Sequence, residues 1–182
     1  MAMPVTVPKY TVEDLDHFPD DGNRYELLDG VLLVTPAPGV SHQAIATRLS
    51  FPLVAALQSS GQANVFLPGA ILFPPRTQLQ PDILVVPARF SIESKWQDIT
   101  EHWLAVEILS RSSRMYDREF KRDAYLDLGV KEVWLVDARE KVVEVSRVRD
   151  KFDVVRDVIV WHVPTLAIDV TVDLSAVFAG LS

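Results

Sequence analysis

The sequence predicts an α/β (α+β) fold: a central mixed sheet flanked by helices, with β-hairpin additions. Three observations predict it. Short apolar runs rich in β-branched residues recur along the chain, and Gln80-Pro81-Asp82-Ile83-Leu84-Val85-Val86 and Trp103-Leu104-Ala105-Val106-Glu107-Ile108-Leu109-Ser110 are the clearest. Two longer stretches, 42–58 and 117–128, carry apolar residues at helical spacing. Asp29-Gly30 stands between two apolar arms, a hairpin signal because a type I′ turn needs positive φ at both corners. The order is helix, hairpin, helix, strands, helix, strands, which suits a sheet with helices on its faces. A length of 182 residues suits one domain over 1–182 with a sizeable core.

Taken in order, Thr11 and Asp14 form a capping box for a short helix to about His17. Turn chemistry in 18–23 leads to the hairpin of 24–34, where Glu26 is a charge inside the first arm. Pro36-Ala37-Pro38-Gly39 ends the second arm, and Ser41 reads as the N-cap of a helix from His42 to about Gln58. Pro52 is expected to kink or split that helix. Residues 63–67 and 70–73 read as short strands, and 74–80 as an exposed connection. The Asp82 strand follows. The polar link 87–100 is expected to fold into a turn of helix or to act as a mobile flap. After the Glu107 strand, 117–128 reads as a helix with Phe120, Ala124 and Leu128 as its apolar stripe and Gly129 as its C′ residue. Residues 130–137 read as a strand, 141–147 with 152–160 as a hairpin around Arg149-Asp150, and 173–178 as a short closing helix.

Composition narrows the function classes. Hydrophobic residues make up 48% and charged residues 24% of the chain, as expected for a globular protein, and no apolar run is long enough to span a bilayer. Cysteine is absent, so there is no disulfide framework, thiolate metal site or thiol nucleophile. With no signal-peptide pattern in 1–9, these features favour the cytoplasm. The net charge of −7 argues against a body coated for nucleic-acid binding but leaves room for a local basic groove. There is no Gly-rich phosphate loop, no Ser-His-Asp signature in context and no His-rich zinc spacing.

Asp82 and Glu107 carry the chemistry. A carboxylate on a buried strand must be paired or bound to a metal. Asp82 starts its strand and Glu107 lies near the end of its own. Antiparallel pairing would bring them together at one sheet edge, the arrangement a divalent metal needs. The backbone carbonyl of Ile108 is next along the strand and could add a ligand. Structural readings stand beside these. Asp82 could simply start a strand, and Glu107 could sit in a buried ion pair with Arg24 or Lys121. Asp117 and Lys121 could be an exposed i, i+4 pair, with Tyr125 in line on the same face. His42 could be a surface residue. Tyr125 and Trp134 read as core or core edge, while Arg111, Arg114, Arg118 and Arg122 could grip a phosphate backbone or form a solvated face.

The strings Arg24-Tyr25-Glu26-Leu27-Leu28-Asp29-Gly30, Pro81-Asp82-Ile83-Leu84-Val85 and Val106-Glu107-Ile108-Leu109-Ser110 resemble the Uma-type endonucleases of the PD-(D/E)XK restriction-endonuclease-like superfamily. So do Lys121 with Tyr125, Gly129-Val130 and Glu132-Val133-Trp134-Leu135-Val136-Asp137. The resemblance covers about 10–145. It implies a restriction-endonuclease-like sheet, a Mg²⁺ or Mn²⁺ cofactor, nucleic acid (DNA) as substrate and a homodimer. It assigns Asp82 and Glu107 as the metal-binding acids, Glu26 as a further acid, and His42-Gln43 as a feature of the first long helix. The superfamily places Lys two residues after the second acid; here that position is Leu109, and Lys121 resembles a relocated lysine. A catalytically silent nuclease-like fold serving as a binding module is the alternative.

Overall fold

The computed structural model describes residues 9–110 and 117–181, with the side chains of 117 and 119 outside that description. Arg111 and Arg114, named above as candidate phosphate contacts, lie outside the described residues. A 3₁₀ turn, Val12–His17, opens the described chain, and the Asp14 carboxylate accepts the Thr11 backbone N–H at 2.7 Å. The hairpin follows as β1 (Arg24–Leu28) and β2 (Val31–Thr35), with Asp29 at φ 48° and Gly30 at φ 79°. Both corners take the positive φ that an Asp-Gly turn supplies.

Helix α1 (Val40–Leu53) starts before His42, with Gly39 and not Ser41 at its N-cap. The first turn closes on the Gly39 carbonyl, which accepts the Gln43 N–H at 3.1 Å. Pro52 does not split the helix; α1 runs through it into a π-helical turn, Val54–Gln58, closed by the Ser59 N–H on the Val54 carbonyl at 2.9 Å. Proline lacks the N–H that would reach the Arg48 carbonyl four residues back, and the helix absorbs that loss without a break.

Strands β3 (Ala63–Phe66) and β4 (Ile71–Phe73) form as expected. The supposed exposed connection instead contains β5 (Thr77–Leu79), whose Thr77 and Leu79 are buried and which pairs with both β4 and β1. Its period-two burial spans too few residues to stand out among the flanking prolines. Next come β6 (Ile83–Pro87) and β7 (Leu104–Ile108). The link between them takes the packed form: a 3₁₀ turn, Trp96–Asp98, sets the Trp96 ring edge-on to Phe66 at 4.9 Å, and Ile99 is buried.

A π-helical turn, Asp117–Lys121, leads into α2 (Arg122–Asp127). Its inward face only partly follows the apolar stripe read from sequence: Ala124 and Leu128 pack partly buried against the core. Phe120 is half exposed, whereas Lys121 and Tyr125 are buried. Gly129 at φ 88° ends the helix as C′; its N–H reaches the Leu126 carbonyl at 3.0 Å and the Val130 N–H reaches the Tyr125 carbonyl at 3.0 Å. This Schellman closure fixes the turn that carries Tyr125. Then follow β8 (Glu132–Asp137), β9 (Val142–Val148) and β10 (Lys151–Val155), with Asp150 at φ 59° in the hairpin. The second arm ends at Val155. Residues beyond it form β11 (Val158–His162), which pairs with β12 (Asp169–Asp173) in a separate ribbon. Helix α3 (Leu174–Val177) closes the chain on an Asp173 N-cap, whose carboxylate accepts the Ser175 N–H at 2.8 Å.

The central sheet has six strands in the order β10-β9-β8-β7-β6-β3, mixed because β7 and β8 run parallel while its other pairs are antiparallel. The parallel pair requires a crossover, and α2 lies on it. A second sheet, β2-β1-β5-β4, carries the first hairpin. Side chains alternate across the central sheet. Ile83, Val85, Leu104 and Val106 join one core with α1 and the β11–β12 ribbon. Leu84, Val86, Ala105 and Leu109 join a second core with Leu33, Leu79 and Tyr125. Among the described residues no helix is long and apolar enough to cross a membrane.

Candidate active site

Strands β6 and β7 pair antiparallel, with Ile83 opposite Val106, Leu84 opposite Ala105 and Val85 opposite Leu104. Continued one step, that register sets Asp82 opposite Glu107, both on the face of the second core. Asp82 is 6% and Glu107 3% exposed, so neither charge is solvated by bulk water. Each is held by donors, as a buried carboxylate must be.

Glu107 Oε1 accepts the Lys121 ammonium at 2.7 Å and the Tyr125 hydroxyl at 2.5 Å. Lys121 and Tyr125 stand at i, i+4, so one helix face delivers both donors to one oxygen. Lys121 Nζ also donates to Glu26 Oε2 at 2.9 Å, and the other Glu26 oxygen accepts the Gln80 N–H at 2.7 Å. The ammonium therefore ties β1 of one sheet to β7 of the other. Leu109, buried in the second core, fills the position where the superfamily has lysine. The crossover helix brings a lysine to the same carboxylate from another direction.

Asp82 has its own set. Oδ1 accepts Arg24 Nη2 at 3.0 Å; Oδ2 accepts the Ile108 backbone N–H at 2.8 Å and lies 3.0 Å from His42 Nε2. Burial works against ionisation of Asp82. The His42 contact, the Arg24 guanidinium and the Ile108 N–H outweigh it, so the carboxyl sits below its ordinary pKa. Burial likewise opposes the charge on Arg24, but Asp82, Glu107 and Glu26 together hold the guanidinium more firmly protonated than usual.

The structure thus gathers Glu26, Asp82, Glu107, Lys121, Tyr125 and His42, with Ile108 joining through its backbone N–H. Gln43 does not join; its side chain is exposed one residue beyond His42. Asp117 lies in the π-helical turn, with its side chain outside the description. Arg118 is engaged by Asp137 at 3.0 Å and Glu144 at 2.6 Å, and Arg122 by Asp123 at 3.1 Å, so neither is an unpaired basic contact. Sequence reading offers Arg24 only as an ion-pair partner for Glu107; the structure sets it on Asp82. The signal for a place in the site was present: Arg24 shares a strand face with Glu26 two residues on.

The family described as "Putative restriction endonuclease", Uma2, matches residues 12–176. The chain belongs to the Uma2 family. A crystal structure titled as "a putative nuclease belonging to DUF820 from Anabaena variabilis ATCC 29413" shares the fold of this Uma2 chain, with TM-score 0.75 and 21% identity over 94% of this chain and 99% of that one. No curated protein matches.

Restriction-endonuclease-like folds generally work with divalent metals, so the Uma2 site can be tested for fit. Among the described residues no group of three or more His, Cys, Asp or Glu side chains is arranged to hold a metal. That disfavours an all-protein cage. A hard divalent ion can be held by one or two carboxylates with water and substrate completing the shell, so the fit rests on the two strand acids. A carboxylate has about four lone-pair sites. The Arg24, Ile108 and His42 contacts of Asp82 leave one of these on Oδ1, and the donor set is hard oxygen throughout.

Proposed function

We propose that this Uma2 protein is a metal-dependent endonuclease that hydrolyses phosphodiester bonds in nucleic acid, with DNA as substrate and Mg²⁺ or Mn²⁺ as cofactor. The observation that carries it is the Asp82–Glu107 register with Lys121 on Glu107. Asp82 and Glu107 would hold the ion, with the Ile108 carbonyl as a further candidate ligand. A bound divalent ion polarises a phosphoryl oxygen and makes bound water a nucleophile near neutral pH. The chain's own residues prepare that chemistry. Lys121 and Tyr125 orient Glu107, and the Lys121 charge offsets negative charge gathering on the phosphoryl group. Glu26 holds Lys121 in place. His42 and the Ile108 N–H fix the Asp82 carboxylate. The reading includes a cytoplasmic homodimer, whose mass light scattering after size-exclusion chromatography measures.

The test is calorimetric titration of Mn²⁺ into wild type, Asp82→Asn and Glu107→Gln, with cleavage of plasmid and single-stranded DNA followed in Mg²⁺ and Mn²⁺. Both amides keep acceptors for the surrounding donors, so folding is expected to survive. Binding and cleavage present in wild type and absent in both variants support the reading. Binding without cleavage of any nucleic acid identifies a catalytically silent binding module. No binding by wild type makes the carboxylates structural.

A further inference from the structure

Three buried carboxylates, Glu26, Asp82 and Glu107, face two permanent cations, Arg24 and Lys121. The two cations are placed differently. The Lys121 side chain is 4% exposed and spans Glu26 and Glu107. The Arg24 side chain is 19% exposed and touches Asp82 and the Gln80 carbonyl, at 3.0 Å and 2.9 Å, through one nitrogen each. A guanidinium carries five N–H donors in a planar fork, so Arg24 has more donors than these contacts use. The other basic side chains around α2 are committed to acids: Arg118 to Asp137 and Glu144, Arg122 to Asp123, Arg149 to Asp127.

Charge counting gives the same direction. Counting the three carboxylates and the two permanent cations alone, the set stands at −1, an unfavourable address for a phosphodiester. A divalent ion on the two strand acids makes it +1, and one phosphodiester anion then neutralises it. Without Arg24 the loaded site would be neutral and would gain nothing by taking the anion. A metal on Asp82 also removes much of that carboxylate's attraction for Arg24, since the two cations share one anion.

Resting on the endonuclease reading, we propose that Arg24 binds a phosphate of the nucleic-acid backbone, its guanidinium shared between Asp82 and a phosphate oxygen once the metal is bound. Bidentate contact with phosphate is the geometry that distinguishes Arg from Lys. Arg24 therefore senses metal loading and substrate together, and it reads the backbone without regard to base sequence.

The experiment measures binding of a fluorescein-labelled DNA duplex by anisotropy in Ca²⁺ across a salt series, for wild type, Arg24→Gln and Arg24→Lys. Mn²⁺ calorimetry on the same three proteins reads the metal site separately. Arg24→Gln is expected to bind DNA about tenfold more weakly and to lower the slope of log affinity against log salt by about one, while still binding Mn²⁺. Arg24→Lys is expected to keep the wild-type slope with reduced affinity, and it carries the test should Arg24→Gln not fold. Wild-type affinity and slope in Arg24→Gln, or wild-type affinity in Arg24→Lys, overturn the assignment and leave the endonuclease reading intact. Failure of wild type to bind DNA at any salt overturns both.

Discussion

Lys121 shows what one residue decides. Its ammonium satisfies Glu26 and Glu107 together, at 2.9 Å and 2.7 Å, in a place with almost no solvent. Removing one partner from a buried ion cluster leaves charges uncompensated, at about 3–5 kcal/mol. Lys121→Met is expected to lose stability on that scale in urea unfolding. Glu107→Gln, which retains an acceptor for Lys121 and Tyr125, loses less. His102 offers a second residue-scale prediction, away from the acids. It is 1% exposed, its Nε2 has no hydrogen-bond partner among the described residues, and burial lowers its pKa from 6.5 to about 4. Its unfolded form takes up a proton below 6.5 that the folded form refuses until about 4. The stabilisation is full above 6.5 and is lost as pH falls towards 4, about 3 kcal/mol in all. Urea unfolding of wild type and His102→Gln across that window checks it; the variant should lack this share of the acid destabilisation, since the carboxylates are common to both.

At the scale of elements, the site depends on how closely the segments around β6 approach one another. The Gly69 N–H reaches the Pro81 carbonyl at 3.2 Å, and a β-carbon added at Gly69 would stand 2.3 Å from the Leu84 β-carbon. That overlap cannot be relieved by a side-chain rotation, so β6 must shift. Gly69→Ala is expected to cost about 1–3 kcal/mol, the range for overpacking a tight core. Because Leu84 lies two residues from Asp82, the shift also disturbs the Asp82–Glu107 pairing, and Mn²⁺ affinity should fall with stability. Thermal melting and calorimetry on the one variant measure both. The β7–α2–β8 crossover works in the opposite sense. Its Schellman closure at Gly129 and the burial of Tyr125 fix the angle at which α2 presents its donors to Glu107.

For the whole molecule, the site is where three layers meet: β1 from the small sheet brings Arg24 and Glu26, β6 and β7 bring the strand acids, and the helices bring His42 and Lys121. A ligand that binds only this assembled form raises the stability of the entire fold by mass action, about 2.7 kcal/mol at a hundredfold excess over its dissociation constant. Mn²⁺ is therefore expected to raise the melting temperature of wild type and to leave that of Asp82→Asn unchanged, as scanning calorimetry with and without the ion would show.

The strand acids were legible along the chain because a charge inside Leu-Ala-Val-Glu-Ile-Leu contradicts its surroundings. The Asp-Gly hairpin and the Gly129 stop were legible because positive φ has few residue solutions. These are local signals, set by a residue and its sequence neighbours. Strand β5, the exposure of Phe120 and the contact of Arg24 with Asp82 were not legible, because each depends on partners far away in sequence. Arg24 and Asp82 are 58 positions apart, and Lys121 and Glu26 are 95 apart. An apolar stripe at Phe120 looked like the buried face of its helix. Burying Glu107 required donors on that side, and the unpaired charge would have cost more than exposing one phenylalanine. Pattern thus names the acids and offers Arg24 and Lys121 as their cations, while packing decides which acid each one meets.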